Sequence, residues 1–314
     1  MTPSLRIGTR RSPLAVWQAE HVRARLEAAH PGLRCLLVRI VTEGDRILDR
    51  PLAQVGGKGL FVKEIENALL DGRIDVAVHS MKDLPAELPQ GLRLGAVPQR
   101  EDPRDALVAG QRNRRLADIP PGARIGTSSL RRAAQLRFHR PDLTLEPARG
   151  NVETRIRRLE EGRFDAIVLA VAGLKRLGLE SRISEILEPD LCLPAVGQGV
   201  LAVEIREDDP ETARLVEPLN DPATETCVRA ERAFLAAMGG SCQIPVAALA
   251  HMDRENLALT GLVADLDGSQ CVRLSLEAPP DQAVALGRTL ADQIRAAGGD
   301  RILQNIARRL STRS

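Results

Sequence analysis

Aromatic side chains are almost missing from this sequence: they make up 2% of its 314 residues, with one Trp, four Phe and no Tyr. Grooves for single-stranded nucleic acid stack bases on such rings, so that function class is disfavoured. A charge imbalance is lacking too. The 44 Lys and Arg against 42 Asp and Glu leave a net charge of +2, too little to drive binding along a phosphate backbone. No stretch approaches the roughly 20 apolar residues of a membrane span. Met1 to Arg11 carries Arg6, Arg10 and Arg11 without the apolar core of a signal peptide, which predicts a cytoplasmic protein with no membrane partner. The five cysteines are odd in number, scattered and without a C-x-x-C pair, which argues against a disulfide framework and against a structural zinc site; no metal is expected. Cys35, Cys192, Cys227 and Cys271 have apolar or amphipathic surroundings and read as small core residues.

What is present is an ordered internal repeat. Apolar residues at 43% and a length of 314 suffice for two or three domains. Leu5-Arg6-Ile7-Gly8-Thr9 is echoed by Ala123-Arg124-Ile125-Gly126-Thr127, and each is followed by a helical stretch that stops near a His and a Pro. A short strand follows in both copies (34–41 and 143–147), then an amphipathic helix (61–70 and 152–161). Gly72-Arg73-Ile74-Asp75-Val76-Ala77-Val78 and Gly162-Arg163-Phe164-Asp165-Ala166-Ile167-Val168 close the repeat. Alternating strands and helices predict βαβ units and parallel sheets, hence two similar α/β domains facing each other across a cleft. Crossings between them are expected at 98–103 and 193–199 as a two-stranded hinge. Beyond Asp221-Pro222 the pattern changes to one helix, three strands in an antiparallel meander and two further helices, an α+β domain. The predicted division is 1–99 plus 200–217, 104–194 and 222–314.

Three constellations carry chemistry. The apolar run from Ile74 reads as a buried parallel strand that is over by Asp83, and Lys82 and Asp83 stand at its carboxyl end, ahead of Pro85. That end is where open α/β sheets place their ligands. Gly126-Thr127-Ser128-Ser129-Leu130-Arg131-Arg132 puts hydroxyls and forked cations at a helix start, suited to a carboxylate or phosphate, and Gly8-Thr9-Arg10-Arg11-Ser12-Pro13 repeats the device. Arg149, Arg155 and Arg176 lie at or near strand ends of the second half. Arginine is dense from Arg124 to Arg182, and a local cluster in a near-neutral chain suits a small polyanion. The segment Gln54 to Phe61 lacks the spacing of a nucleotide loop and reads as a mobile glycine-rich flap carrying Lys58. His79 reads either as a base or as a buried histidine satisfied by backbone. Cys242, on the Gly239-Gly240-Ser241-Cys242-Gln243 loop, is the one cysteine placed for reaction, although an ordinary loop cysteine has the same pattern.

Together Thr9 to Ala15, Gly57 to Phe61, His79 to Pro85, Gly126 to Arg132, Arg149 to Val152, Ala170 to Gly178, Leu193 to Gly199 and the Cys242 loop resemble the porphobilinogen deaminase (hydroxymethylbilane synthase) family, from Arg6 to about Ala250. The resemblance implies an α/β fold of two similar type II periplasmic-binding-protein-like domains with mainly parallel sheets, plus a C-terminal α+β domain with an antiparallel sheet. It implies a monomeric transferase of tetrapyrrole biosynthesis. Such an enzyme condenses four porphobilinogens head to tail onto a dipyrromethane cofactor held by a thioether to Cys242, with loss of ammonia each time, and hydrolysis then frees hydroxymethylbilane. Carried to matching positions, Lys82, Asp83, Thr127, Ser128, Ser129, Arg131 and Arg132 hold the cofactor. Arg10, Ser12, Lys58, Arg149, Arg155 and Arg176 hold the substrate and the displaced chain. Asp83 is implied as the catalytic group, accepting pyrrole N–H bonds and stabilising the cation left when ammonia departs. Ser241 and Ala247 depart from glycines common in the family and bear on the shape of the cysteine loop.

Two other readings compete on the residues alone. A non-catalytic two-domain binding protein for a small polycarboxylate or oxyanion accounts for the cleft but needs neither Cys242 nor a third domain. A cysteine hydrolase requires a base, and none of the five His is near Cys242 in sequence.

Overall fold

The computed structural model describes residues 4–46, 62–111, 114–239 and 244–311. Lys58 with the whole Gln54–Phe61 segment, and Cys242 with Ser241, lie outside the described residues. The chain divides into two compact units, Met1–Glu101 with Gly199–Glu225 and Asp102–Gln198 with Thr226–Ser314.

Among the described residues, the first part of the chain runs β1 (Ser4–Thr9), α1 (Pro13–Ala29), β2 (Arg34–Arg39), α2 (Glu43–Arg46), α3 (Lys63–Leu70), β3 (Val76–Ser80) and β4 (Leu92–Ala96). It continues with β5 (Asp105–Ala109), β6 (Arg124–Gly126), α4 (Leu130–His139), β7 (Thr144–Glu146), α5 (Val152–Glu160), β8 (Ala166–Ala170), α6 (Val171–Arg176) and β9 (Glu185–Leu187). Then come β10 (Leu201–Arg206), α7 (Pro210–Val216), α8 (Pro222–Ala237), β11 (Val246–Asp253), β12 (Asn256–Ala264), β13 (Cys271–Ala278), α9 (Ala283–Ile294) and α10 (Asp300–Ser311).

The first unit holds a five-stranded sheet in the order β2-β1-β3-β10-β4, and the second holds one in the order β7-β6-β8-β5-β9. In each, the first three strands are parallel, as βαβ crossovers through α1 and α3 or through α4 and α5 require. The fourth strand runs antiparallel to both neighbours. It is in both cases the strand that follows a passage of the chain between units: β5 after Glu101–Asp102, β10 after Gln198–Gly199. The sheets are therefore mixed, and alike in order.

Alternation along β3 explains how the first sheet is covered. Val76 and Val78 join Leu5, Ile7, Ala19, Val22 and Leu26 on the α1 side. Ala77 joins Ile65, Ala68, Leu69 and Ile74 on the α3 side. Covering both faces is why the strand reads as a continuous apolar run. Each Ile or Leu so buried contributes about 1.5–3 kcal/mol. The repeat is also visible in polar detail. The Asp75 carboxylate accepts from the Arg6 backbone N–H at 2.8 Å, and Asp165 accepts from that of Arg124 at 2.8 Å. Glycine is needed at Gly126, where a Cβ would sit 2.9 Å from Ile167 Cγ2 and 3.0 Å from Ala148 Cβ and Phe164 Cγ, and at the matching Gly8 a Cβ would meet the tip of Ile74.

The C-terminal region of the second unit is the antiparallel sheet β11-β12-β13. Phe234 of α8 and Leu286, Leu290 and Ile294 of α9 pack on Ala248, Ala250, Leu257 and Leu259. Glu231, wholly buried on α8, accepts from Ala250 N at 2.8 Å and from Gly197 N at 2.7 Å. Both carboxylate oxygens are thus spent on backbone donors, which is what lets an acid sit in an apolar core. No described helix is long and apolar enough to cross a membrane.

Candidate active site

In the first unit the site grows out of the end of β3. Met81 and Leu84 are buried, and Met81 N donates to Val200 O at 3.0 Å, so the 3-10 turn Met81–Asp83 is pinned by its apolar members. The residues between them face outward: Lys82 is half-buried and Asp83 exposed. An open pocket is lined there by Arg10, Ser12, Gln18, His79, Ser80 and Asp83, with Leu14, Ala15, Val62 and Val78 supplying apolar wall. Ser12 caps α1 by accepting from Ala15 N, Pro13 occupies the first helical turn, and that turn carries no acid. The positive end of the helix dipole is thus left unneutralised beside Arg10. Gln18 donates to Ser80 Oγ at 2.9 Å and ties α1 to β3 across the pocket floor. Arg10, Ser12 and Asp83 are therefore brought together, whereas Lys82 is not among the lining residues.

In the second unit the hydroxyl loop after β6 is built as a cap. Ser129 accepts from Arg132 N, Thr127 Oγ1 accepts from Ser129 N at 3.2 Å, and Ser128 donates to Ala148 O at 2.9 Å. Arg131 and Arg132 are both buried, and they share one acid absent from the sequence reading, Asp105. Arg131 Nη1 donates to Asp105 Oδ2 at 2.7 Å, and Arg132 Nη2 donates to Oδ1 at 2.7 Å. Gln198 Nε2 adds a bond to Oδ1 at 2.9 Å. Burial alone would raise the Asp105 pKa, but the two guanidinium charges outweigh it and hold the carboxyl well below the ordinary range. Two cations on one carboxylate leave a buried positive charge over.

Arg155 Nε donates to the carbonyl of Gly150, the residue after Arg149, at 2.8 Å. Arg149 Nη1 is buried and has no hydrogen-bond partner among the described residues. Arg176 ends α6, half-buried. Cys35, Cys192 and Cys227 are buried and Cys271 half-buried, all as free thiols. Burial pushes the Cys35 thiol up to about 11, and burial together with the Asp105 carboxylate pushes Cys192 up to about 12, so neither is a ready nucleophile. His79 is buried as one reading expected, but its Nε2 meets the Glu204 carboxylate at 3.1 Å rather than a backbone group. The described His, Cys, Asp and Glu side chains form no group of three or more suited to a metal ion.

Fold and site together define an α/β protein of two like sheets, with an acid at one strand end and two buried arginines on one acid in the other unit. Residues 5–214 match the family model described as the porphobilinogen deaminase dipyrromethane cofactor-binding domain, and residues 225–296 match that of the porphobilinogen deaminase C-terminal domain. The porphobilinogen deaminase of Syntrophotalea carbinolica is 58% identical over 300 residues, covering 96% of this chain and 95% of that one. That of Roseiflexus castenholzii is 55% identical over 303 residues, covering 96% and 99%. A solved structure of the methionine-binding protein MetQ, 14% identical, aligns over 68% of this chain and 87% of its own with a TM-score of 0.44. The chain belongs to the porphobilinogen deaminase family, a family of transferases.

Proposed function

We propose that this chain condenses four porphobilinogen units, head to tail and with loss of ammonia, on a dipyrromethane tethered to Cys242, and then releases hydroxymethylbilane. The observation that carries the reading is the surplus of cations in the second unit. Each pyrrole brings an acetate and a propionate, and the buried Nη1 of Arg149, without a partner among the described residues, is a donor suited to such an oxygen. Arg131 and Arg132, with one carboxylate between them, retain a net positive charge for a second. The residues present therefore fit the cofactor. Lys82, Thr127, Ser128, Ser129, Arg131 and Arg132 would hold its carboxylates, and Arg10, Ser12, Lys58, Arg149, Arg155 and Arg176 those of the substrate and growing chain. The dipyrromethane, when bound, supplies the pyrrole carbon on which the chain grows. The exposed Asp83 carboxylate accepts pyrrole N–H bonds and meets the cation that departure of ammonia leaves on the substrate. The shielding of the other cysteines supports Cys242 as the tether. A cytoplasmic monomer belongs to the same reading.

Intact-mass spectrometry of the purified protein, followed by peptide mapping, tests it. The expected result is two linked pyrrole units on the Cys242 peptide and conversion of porphobilinogen to hydroxymethylbilane. An unmodified protein with full turnover would overturn the assignment.

A further inference from the structure

Behind the Asp83 pocket lies a cluster that the reaction as described leaves unused. His79 of β3, one of the lining residues, contacts Glu204 of β10 at 3.1 Å. Glu204 is wholly buried and Glu66, on α3, nearly so. One oxygen of each acid, Oε1 in both cases, is buried without a hydrogen-bond partner among the described residues. Two carboxyls and an imidazole are neutral as a set only when they hold two protons; with one proton the set is an uncompensated buried anion. Burial first, and repulsion from Glu204 second, push Glu66 up to about 7, while His79 acts in the opposite direction.

Most other charges on the elements around the cluster are engaged elsewhere. From β1, Arg6 is bonded to Asp75. Arg206 of β10 reaches Asp75, Asp209 and the carbonyls of Leu69 and Ile74. Arg93 of β4 points to Leu94 O at 3.4 Å. On α3 itself Lys63 is exposed, and Glu64 accepts from Glu43 N at 2.8 Å through Oε1 while its Oε2 is buried without a hydrogen-bond partner among the described residues. On the pocket side the charged neighbours are Arg10 and Asp83.

We propose that Glu66, His79 and Glu204 form a buried ionisable set behind the pocket wall, in which Glu66 and Glu204 act through His79 as positioning residues for the Asp83 site. When the set gives up its second proton it becomes an anion, and its field favours the cation developing at Asp83. The inference rests on the role assigned to Asp83 above. A unit charge about 10 Å away at an effective dielectric of about 20 changes a rate by about tenfold.

Carbon-13 NMR of glutamate-labelled protein and pH profiles of porphobilinogen turnover test it together. The carboxyl resonance that disappears in Glu66→Gln should titrate near pH 7 in the folded wild type. In Glu204→Gln it should titrate lower, because the repelling neighbour is gone. Wild-type turnover should climb about tenfold through the same inflection. Glu66→Gln should stay on the low-pH plateau, Glu204→Gln should move the inflection down, and Glu66→Asp should restore one. A wild-type spectrum in which no glutamate carboxyl titrates above the ordinary carboxylate range would overturn the proposal even if every variant failed to fold. So would a Glu66→Gln profile that superimposes on wild type. Absence of wild-type turnover would instead remove the function proposed above and with it the coupling to catalysis, while the NMR titration would still decide whether the buried set exists.

Discussion

The two five-stranded sheets are built alike and charged oppositely. Both use the same strand order, the same glycine before the first helix and the same aspartate reaching back to a first-strand amide. In the first unit the buried polar groups behind the site are acids, Glu66 and Glu204, and an acid is presented at the strand end. In the second, two buried guanidiniums, Arg131 and Arg132, gather on a single acid, Asp105, behind the hydroxyl loop. Duplicated backbone geometry therefore does not duplicate chemistry. Position on the scaffold decides what can be presented, and the sign of the buried charge decides which ligand group is met.

The sharpest way to break the comparison is to remove the acid that keeps the second unit's arginines tolerable. Asp105→Asn should cost about 3–5 kcal/mol in denaturant unfolding at neutral pH, since it leaves two buried cations unbalanced. Because the folded-state pKa of Asp105 is depressed, its contribution is present above the unfolded value near 4 and is lost as pH falls below it. The gap between wild type and variant should accordingly close in acid.

Asp83→Asn probes the other unit and should lower turnover about 10²–10³-fold, the scale seen on loss of a group aimed at developing charge. Its exposure predicts an unchanged melting temperature. Near-normal turnover would remove the acid from the reaction and the contrast with it. Arg149→Ala should slow chain growth about tenfold or more, as expected for loss of a charge-assisted hydrogen bond, with little change in melting. A melting curve recorded beside the assay separates the two effects.

The smallest effect compares the repeated clamps directly. Arg6 engages Asp75 through its side chain at 2.6 and 3.0 Å, and Asp75 is 15% exposed. Arg124 approaches Asp165, 47% exposed, at 3.6 Å. Arg6→Ala should cost about 1 kcal/mol and Arg124→Ala only a few tenths, as for exposed ion pairs. Equal losses would mean that burial does not distinguish the two copies.

Residues of the candidate site stand out in the sequence where they interrupt regular patterns. Asp83 ends an apolar run before a proline, and the hydroxyls of Thr127 to Ser129 precede a helix. Missed were the partners. Glu204 sits in Leu201-Ala202-Val203-Glu204-Ile205, and Asp105 opens Asp105-Ala106-Leu107-Val108. A lone acid within an otherwise buried strand is a signal that a cation or proton must be found for it, but the partner's identity is not local: Arg131 is 26 residues from Asp105, and His79 is 125 from Glu204. The direction of the fourth strand was likewise out of reach, because apolar periodicity is the same in parallel and antiparallel neighbours once both faces are covered.

By itself the sequence determined the repeat, the α/β class, the antiparallel C-terminal sheet and the side chains available for chemistry, since helix caps, apolar periodicity and strand-end residues are local properties. Only the tertiary structure decided which of those side chains carry compensated charge. Desolvation and Coulomb terms depend on what folds against a group and not on what precedes it in the chain. Arg131 and Arg132 are held by Asp105, Arg149 retains a buried donor without a partner among the described residues, and Glu66 is driven toward its neutral form.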